Sequence, residues 1–399
     1  MLRLRKKYSG RGGRAWRLAD RYFGVPLVAT IGALRRKRPM PCRIDRVGLL
    51  TTAAIGDTIL ISAIVADLRA AFPSASIIFF AGDSNYAAAC LIPHCDTVVR
   101  LPVRRPFKAS RIVRAHKLDL LLDLGPWARL NALLAALGGA SCTLGFRTPG
   151  QHRHFAYDLA VDHSPRVHEM ENLRRMVAAL GIPARHQPAI DRDKLPQDPG
   201  VGVAPPFVVL HLWPGGTCSD LKQWPLDRWR RLAAYFAARK LTVILTGAAS
   251  QHATNDAVIQ AANPELQSNL QSMIRNAAGL SLAQTAAMLA RADLVVSVDT
   301  GVMHLAAALG VPLVGLCGPA SSDRWGPIGA RAEAVDSPLR QCGYLYLGFE
   351  RPRDPPRCME AIPFEAVLAR CISALNDGGD RCADPARRRP MVGGAHPDA

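Results

Sequence analysis

Leu294-Val-Val-Ser-Val-Asp299-Thr300-Gly301-Val-Met-His304-Leu-Ala-Ala-Ala-Leu-Gly310 reads as a strand, a turn and a helix in immediate succession. Four of the first five residues are apolar, three of them β-branched valines, and the alanines and leucines after the turn have helical character. A glycine at such a junction lets the backbone come close to a ligand. The helix behind it aims free N–H groups and its positive dipole end at the same place, which favours phosphate. Asp299, Thr300 and His304 add an acid, a hydroxyl and an imidazole. The stretch reads as a site for a phosphorylated ligand, although Asp299 as a plain N-cap and His304 as a core residue would also satisfy it.

The same alternation recurs outward along the chain. Val47–Leu50 is apolar, Gly56-Asp57 is a turn, Thr58 to Ala71 has helical periodicity, and Ile77–Phe80 is a short β-rich run. Leu118–Leu124 is a further strand candidate. Phe207–Leu212 and Leu241–Thr246 read as strands, Pro225–Arg239 as a helix, and 251–262 and 281–291 as helical patterns; Pro312–Cys317 closes the series as a strand. Strands alternating with helices imply a parallel sheet covered on both faces. Pro183 to Pro206 is rich in proline, aspartate and glycine, which points to a break between two α/β domains. The expected divisions are an N-terminal arm at 1–43, domains at 44–190 and 207–376, a linker at 191–206, and a disordered tail at 377–399. Two such domains place a ligand cleft at the carboxyl ends of their strands.

The chain has 399 residues, 49% of them hydrophobic, and a net charge of +18. That length suits two cores. No apolar run approaches the roughly 20 residues needed to span a bilayer. Residues 1–46 alone carry +12, and inside them lies an uncharged stretch, Tyr22–Leu34, flanked by Arg21 and Arg35-Arg-Lys-Arg38. This pattern fits either a solvated basic tail or a segment lying on an anionic membrane surface. A cleaved signal is not expected, because the apolar run starts late and is followed by basic rather than small residues. The remaining residues carry only +6 and show no nucleic-acid-binding motif, so nucleic acid is not an expected partner. Ten cysteines without a C-x-x-C pair give neither a zinc site nor a secreted disulfide framework, and reduced cytoplasmic thiols are the expectation.

Three strand-end turns carry chemistry. They are Ala54-Ile-Gly56-Asp57-Thr58, His211-Leu-Trp-Pro-Gly215-Gly216 with Lys222 and Trp224-Pro225 following, and Asp299–His304. With Gly318-Pro319 after the last strand and the late Cys358-Met359, their order and spacing resemble glycosyltransferase family 9, the bacterial heptosyltransferases of lipopolysaccharide core assembly. The resemblance covers roughly residues 44–372. It implies a GT-B fold of two Rossmann-like doubly wound domains facing a central cleft, with acceptor bound by the first and sugar nucleotide by the second. It also implies an inverting, metal-independent transfer with no cofactor, from a nucleoside-diphosphate sugar such as ADP-heptose. The implied acceptor is a lipid-linked anionic saccharide at the inner face of the cytoplasmic membrane.

Residue by residue, Asp57 matches the family's base. A carboxylate at a helix N-terminus stays ionised, but that setting also weakens it as a base. Lys222 matches the phosphate-contacting lysine, a point charge suited to a departing diphosphate. Gly215, Gly216, Asp299, Thr300, Gly301 and His304 would complete the donor site. Where family members carry a ribose-binding glutamate, this chain reads Gly247-Ala-Ala-Ser-Gln251, and Gln251 can offer a hydrogen bond without charge. Between Arg100 and Lys117 lie seven basic residues and no acid. By resemblance Arg104, Arg105, Lys108 and Arg111, with Arg147, would face the anionic acceptor; a solvated helix face is the plainer reading. Two rivals share the fold, a sugar-nucleotide 2-epimerase and an inactive membrane adaptor. The first lacks an identifiable set of acids and bases on both sides of a sugar ring, and intact Asp57, Lys222 and Asp299 argue against the second.

Overall fold

The computed structural model describes residues 20–262, 273–348 and 350–376. Two six-stranded sheets organise the chain, and every strand pairing recorded in them is parallel. The first holds β1 (Arg46–Thr51), β2 (Ser76–Ala81), β3 (Thr97–Arg100), β4 (Leu120–Asp123), β5 (Cys142–Arg147) and β6 (Leu159–Asp162), in the order β3-β2-β1-β4-β5-β6. The second holds β7 (Phe207–His211), β8 (Thr242–Gly247), β9 (Ile274–Ala278), β10 (Leu294–Val298), β11 (Leu313–Cys317) and β12 (Ala332–Asp336), in the order β12-β11-β10-β7-β8-β9. The strand order of each sheet therefore reverses beside its first strand, the place where a parallel sheet opens a crevice at its carboxyl ends.

Central strands such as Leu120–Asp123 and Leu294–Val298 are buried throughout, as expected of strands covered on both faces. Helices α1 (Val25–Leu34), α3 (Pro106–Ala115) and α4 (Arg129–Leu137) cover one face of the first sheet, and α2 (Ile55–Ala71) and α5 (Glu169–Ala178) cover the other. On the second sheet, α6 (Leu226–Ala238), α7 (His252–Ala262) and α10 (Phe364–Asn376) lie opposite α8 (Leu282–Leu289) and α9 (Gly301–Ala308).

Helix α2 is the wedge between the domains. Ten of its residues from Thr58 to Leu68 are buried, and Ile59 joins the core of the C-terminal domain beside Met303 and Leu305. A helix that is apolar all round is buried all round, and here both domains supply the cover.

Two expectations change. The apolar stretch after Tyr22 is neither a loose tail nor a free arm: it forms α1, whose Val28 is fully buried against Leu50, Phe80 and Ala132. Arg35 locks its end by donating to Ala156 O at 2.9 Å and to Asp158 Oδ2 at 2.7 Å. The cysteines are not all free thiols, because Cys342 and Cys358 form a disulfide with Cα atoms 5.9 Å apart. The loop after β12 folds back far enough to bring together two residues 16 apart in sequence. Residues 1–19 and the tail from 377 lie outside the described residues.

Candidate active site

The turns after β1 and β10 meet face to face. Gly301 opens α9, and a Cβ there would lie 2.6 Å from Ile55 Cγ2 and 3.3 Å from the Gly56 nitrogen. A Cβ on Gly56 would lie 2.7 Å from His304 Cδ2. Neither glycine has an unusual φ, so both are there for close approach. They bring the N-termini of α2 and α9, one from each domain, into contact, and both leave free N–H groups near one place.

Asp57 sits in the first turn of α2, where its Oδ2 accepts a hydrogen bond from Ala54 N at 3.2 Å. The residue keeps an edge accessible to water, yet protein crowds its carboxyl on nearly all sides. That burial, reinforced by the negative charge of Glu169, raises its pKa from 3.8 to about 6, against the opposing pull of the Ala54 bond and Arg324. The helix N-terminus therefore does not decide this residue's basicity. Asp57 is ionised at neutral pH and is a stronger base than an exposed aspartate, the poise a general base needs.

Lys222 and Asp299 form one unit, with Nζ 2.7 Å from Oδ2 and both side chains largely buried. Thr300 caps α9 by accepting from Val302 N at 3.2 Å, which leaves its hydroxyl proton to donate elsewhere. His304 is buried with Nδ1 unpartnered, and burial lowers its pKa to about 4, so it meets a ligand as a neutral imidazole. His211 is likewise neutral, its Nδ1 2.8 Å from Thr246 Oγ1.

Gly215 and Gly216 are exposed, with open space where a side chain would stand, and Gly216 has a φ of +77° that favours glycine. Gln251 folds back on its own turn. Its Oε1 accepts from Ala248 N at 2.7 Å, so its amide N–H groups are what remain for a ligand.

Arg104, Arg105, Lys108 and Arg111 are exposed on α3 and the turn before it, and none forms an ion pair among the described residues. Arg147 is occupied differently, pairing with Asp162 on the neighbouring strand at 3.1 Å. Sequence reasoning missed Glu169, His163, His168 and Arg324. They lie in polar stretches, 162–172 and 321–326, where one more charge or imidazole gives no local signal.

Two Rossmann-ordered domains facing a common cleft make this a GT-B protein. The model of glycosyltransferase family 9 (heptosyltransferase) matches residues 107–344, more than half of the chain, and the protein belongs to that family. Lipopolysaccharide heptosyltransferase 2 of Salmonella typhimurium is 34% identical over 123 residues, 31% of this chain and 34% of that protein. Lipopolysaccharide heptosyltransferase 1 of Pseudomonas aeruginosa is 37% identical over 170 residues, 41% of this chain and 43% of its own. The chain thus spans between a third and a half of the length of these relatives. The structure of the E. coli ADP-heptose lipopolysaccharide heptosyltransferase II superposes with a TM-score of 0.67 at 21% identity, covering 84% of this chain and 99% of that one.

Proposed function

We propose that this protein moves a heptose from ADP-heptose to the anionic inner core of a lipopolysaccharide precursor by an inverting, metal-independent displacement. One observation carries the reading: a basic, crowded carboxylate from one domain and a lysine–aspartate pair from the other are set at two touching helix N-termini. Family membership and the relatives' names supply the substrate class. Asp57 takes the proton of the acceptor hydroxyl as its oxygen attacks the anomeric carbon. The bond from that carbon to the diphosphate breaks on the opposite face. Lys222 and the α9 N–H groups then hold the charge that gathers on the departing ADP. Asp299 keeps Lys222 in place before the donor arrives, and the remaining N–H groups of Nζ point the charge at the phosphates. Gly215 and Gly216 leave room for backbone to approach the donor, with Gln251 near the nucleotide.

The acceptor is amphiphilic, so the enzyme works at the inner surface of the cytoplasmic membrane. Six of the eight large apolar side chains left exposed among the described residues support this: Tyr22, Phe23, Leu27, Leu34, Phe107 and Phe155. All belong to the helical layer on the outer face of the first sheet or the loop packed under α1. Arg36, Lys37, Arg104, Arg105, Lys108 and Arg111 are exposed around them. Apolar anchors within a basic rim suit an anionic bilayer, each basic residue near it adding about 1 kcal/mol. No helix of the described residues is long and apolar enough to cross a membrane.

Substituting Phe23 and Phe107 by serine should reduce sedimentation with anionic vesicles and slow turnover on lipid-embedded acceptor. Turnover on a deacylated acceptor should stay unchanged. Equal sedimentation of variant and wild type at low and high salt would remove the membrane from the account.

A further inference from the structure

Beside Asp57 the domains are joined by a buried polar cluster that the transfer scheme above does not use. Glu169 opens α5, and its carboxylate gathers three donors. Arg324 Nη2 donates to Oε2 at 2.5 Å, His163 Nε2 lies 3.0 Å from the same oxygen, and Asn172 Nδ2 donates at 3.2 Å. Arg324 comes from the other domain, in the turn after β11, and both side chains of the pair are 3% exposed. The guanidinium is fixed on its own side, donating from Nε to Tyr346 O at 3.1 Å and lying 4.2 Å above the Trp325 ring. A second bond crosses the interface next to it. His168 Nδ1 accepts from Met170 N, which places the ring proton on Nε2, and Nε2 lies 3.0 Å from Gly326 O.

We propose that Glu169 and Arg324 are positioning residues for the transfer, an ion pair that fastens one domain to the other and sets how readily Asp57 takes up a proton. The inference rests on the reading of Asp57 as the base. Glu169 is the nearby charge that most strongly favours a protonated Asp57, and Arg324 opposes it. The other groups facing Asp57 are Asp299, held by Lys222, and neutral His304 packed against Gly56. Helices α2 and α5, which carry Asp57 and Glu169, pack against each other, so a pair made by both domains sits where its two charges act on the base.

The test is the pH profile of kcat/KM for Glu169→Gln, Arg324→Gln and Arg324→Lys, each with its ADP affinity and circular dichroism. Removing the acid should move the acidic limb down by about 0.5–1 on the pH scale; removing the guanidinium should move it up by a similar amount. Arg324→Lys keeps the charge and should stay near wild type. A merely structural pair would lower rates without moving the limb in opposite directions. Unmoved limbs, or limbs that both move the same way, overturn the proposal. If Arg324→Gln does not fold, the downward movement in Glu169→Gln decides alone. A wild type that transfers no heptose, or an Asp57→Asn variant with normal turnover, would instead sink the reading of the base.

Discussion

Replacing Asp57 by asparagine should abolish transfer and, at neutral pH, make the protein more stable. The structure separates the two effects. Asparagine keeps an oxygen to accept the Ala54 N–H, so the local fold persists. It removes a carboxylate whose pKa is raised from 3.8 to about 6 by burial and by Glu169. Below about pH 4 the carboxyl is protonated in both folded and unfolded chains and costs nothing. Between about 4 and 6 the unfolded chain ionises first, the native state holds the extra proton, and stability falls as pH rises. Above about 6 the loss is complete; each tenfold difference in proton affinity is worth about 1.4 kcal/mol, which makes about 3 kcal/mol in all. The water-accessible edge of Asp57 reduces that to about 1–3 kcal/mol. Urea unfolding followed by tryptophan fluorescence should therefore show the variant more stable at about pH 7.5 and equal to wild type near pH 4. Transfer should fall by about 10²–10⁴-fold, the usual loss with a general base. Turnover within about threefold of wild type, or the same stability difference at both pH values, would refute the reasoning.

Lys222→Ala should weaken ADP binding about tenfold to a hundredfold by calorimetry, the worth of a charge-assisted hydrogen bond, and should slow transfer as well. Asp299→Asn should give a milder loss, because the lysine remains but is no longer held. Gly301→Ala would put a methyl group 2.6 Å from Ile55 Cγ2 and 2.7 Å from Ile55 Cβ, so the two helix ends must part; we expect about 1–3 kcal/mol of destabilisation by urea unfolding and a loss of transfer. Transfer should survive excess EDTA undiminished, and a strict need for Mg²⁺ or Mn²⁺ would remove Lys222 from its role.

The fold was legible wherever strands are central and apolar. Leu294–Val298 lies as the sequence indicates, and the Val47, Ile77 and Phe207 runs mark strands to within a residue or two. The strands that escaped notice are β3, β6, β9 and β12 at sheet edges, and β5 next to one. Thr97–Arg100, Leu159–Asp162 and Ala332–Asp336 are short, half exposed and charged at an end, and Ile274–Ala278 carries Arg275 and Asn276. Partial exposure lets such segments carry polar residues, so their hydrophobic pattern is weak. Helix α1 was visible as an apolar stretch, but its basic flanks hid that Arg35 is anchored by Asp158, 123 residues away.

The candidate site was legible where chemistry follows a strand: Asp57 and the Asp299–His304 turn stand out from local pattern, whereas Lys222 was singled out by the family resemblance. Its electrostatics were not. The basicity of Asp57 depends on Glu169, more than a hundred residues away in sequence, and on Arg324 from the other domain. No local pattern encodes a charge brought in by tertiary packing.

The central claim is heptose transfer, and the most direct measurement is incubation of the purified protein with ADP-heptose and a deacylated inner-core acceptor, with products read by mass spectrometry and NMR. The account predicts one heptose added to the acceptor per ADP released, joined with the anomeric configuration opposite to that of the donor. An acceptor left unmodified while ADP-heptose stays intact, or a product that keeps the donor's configuration, would contradict it.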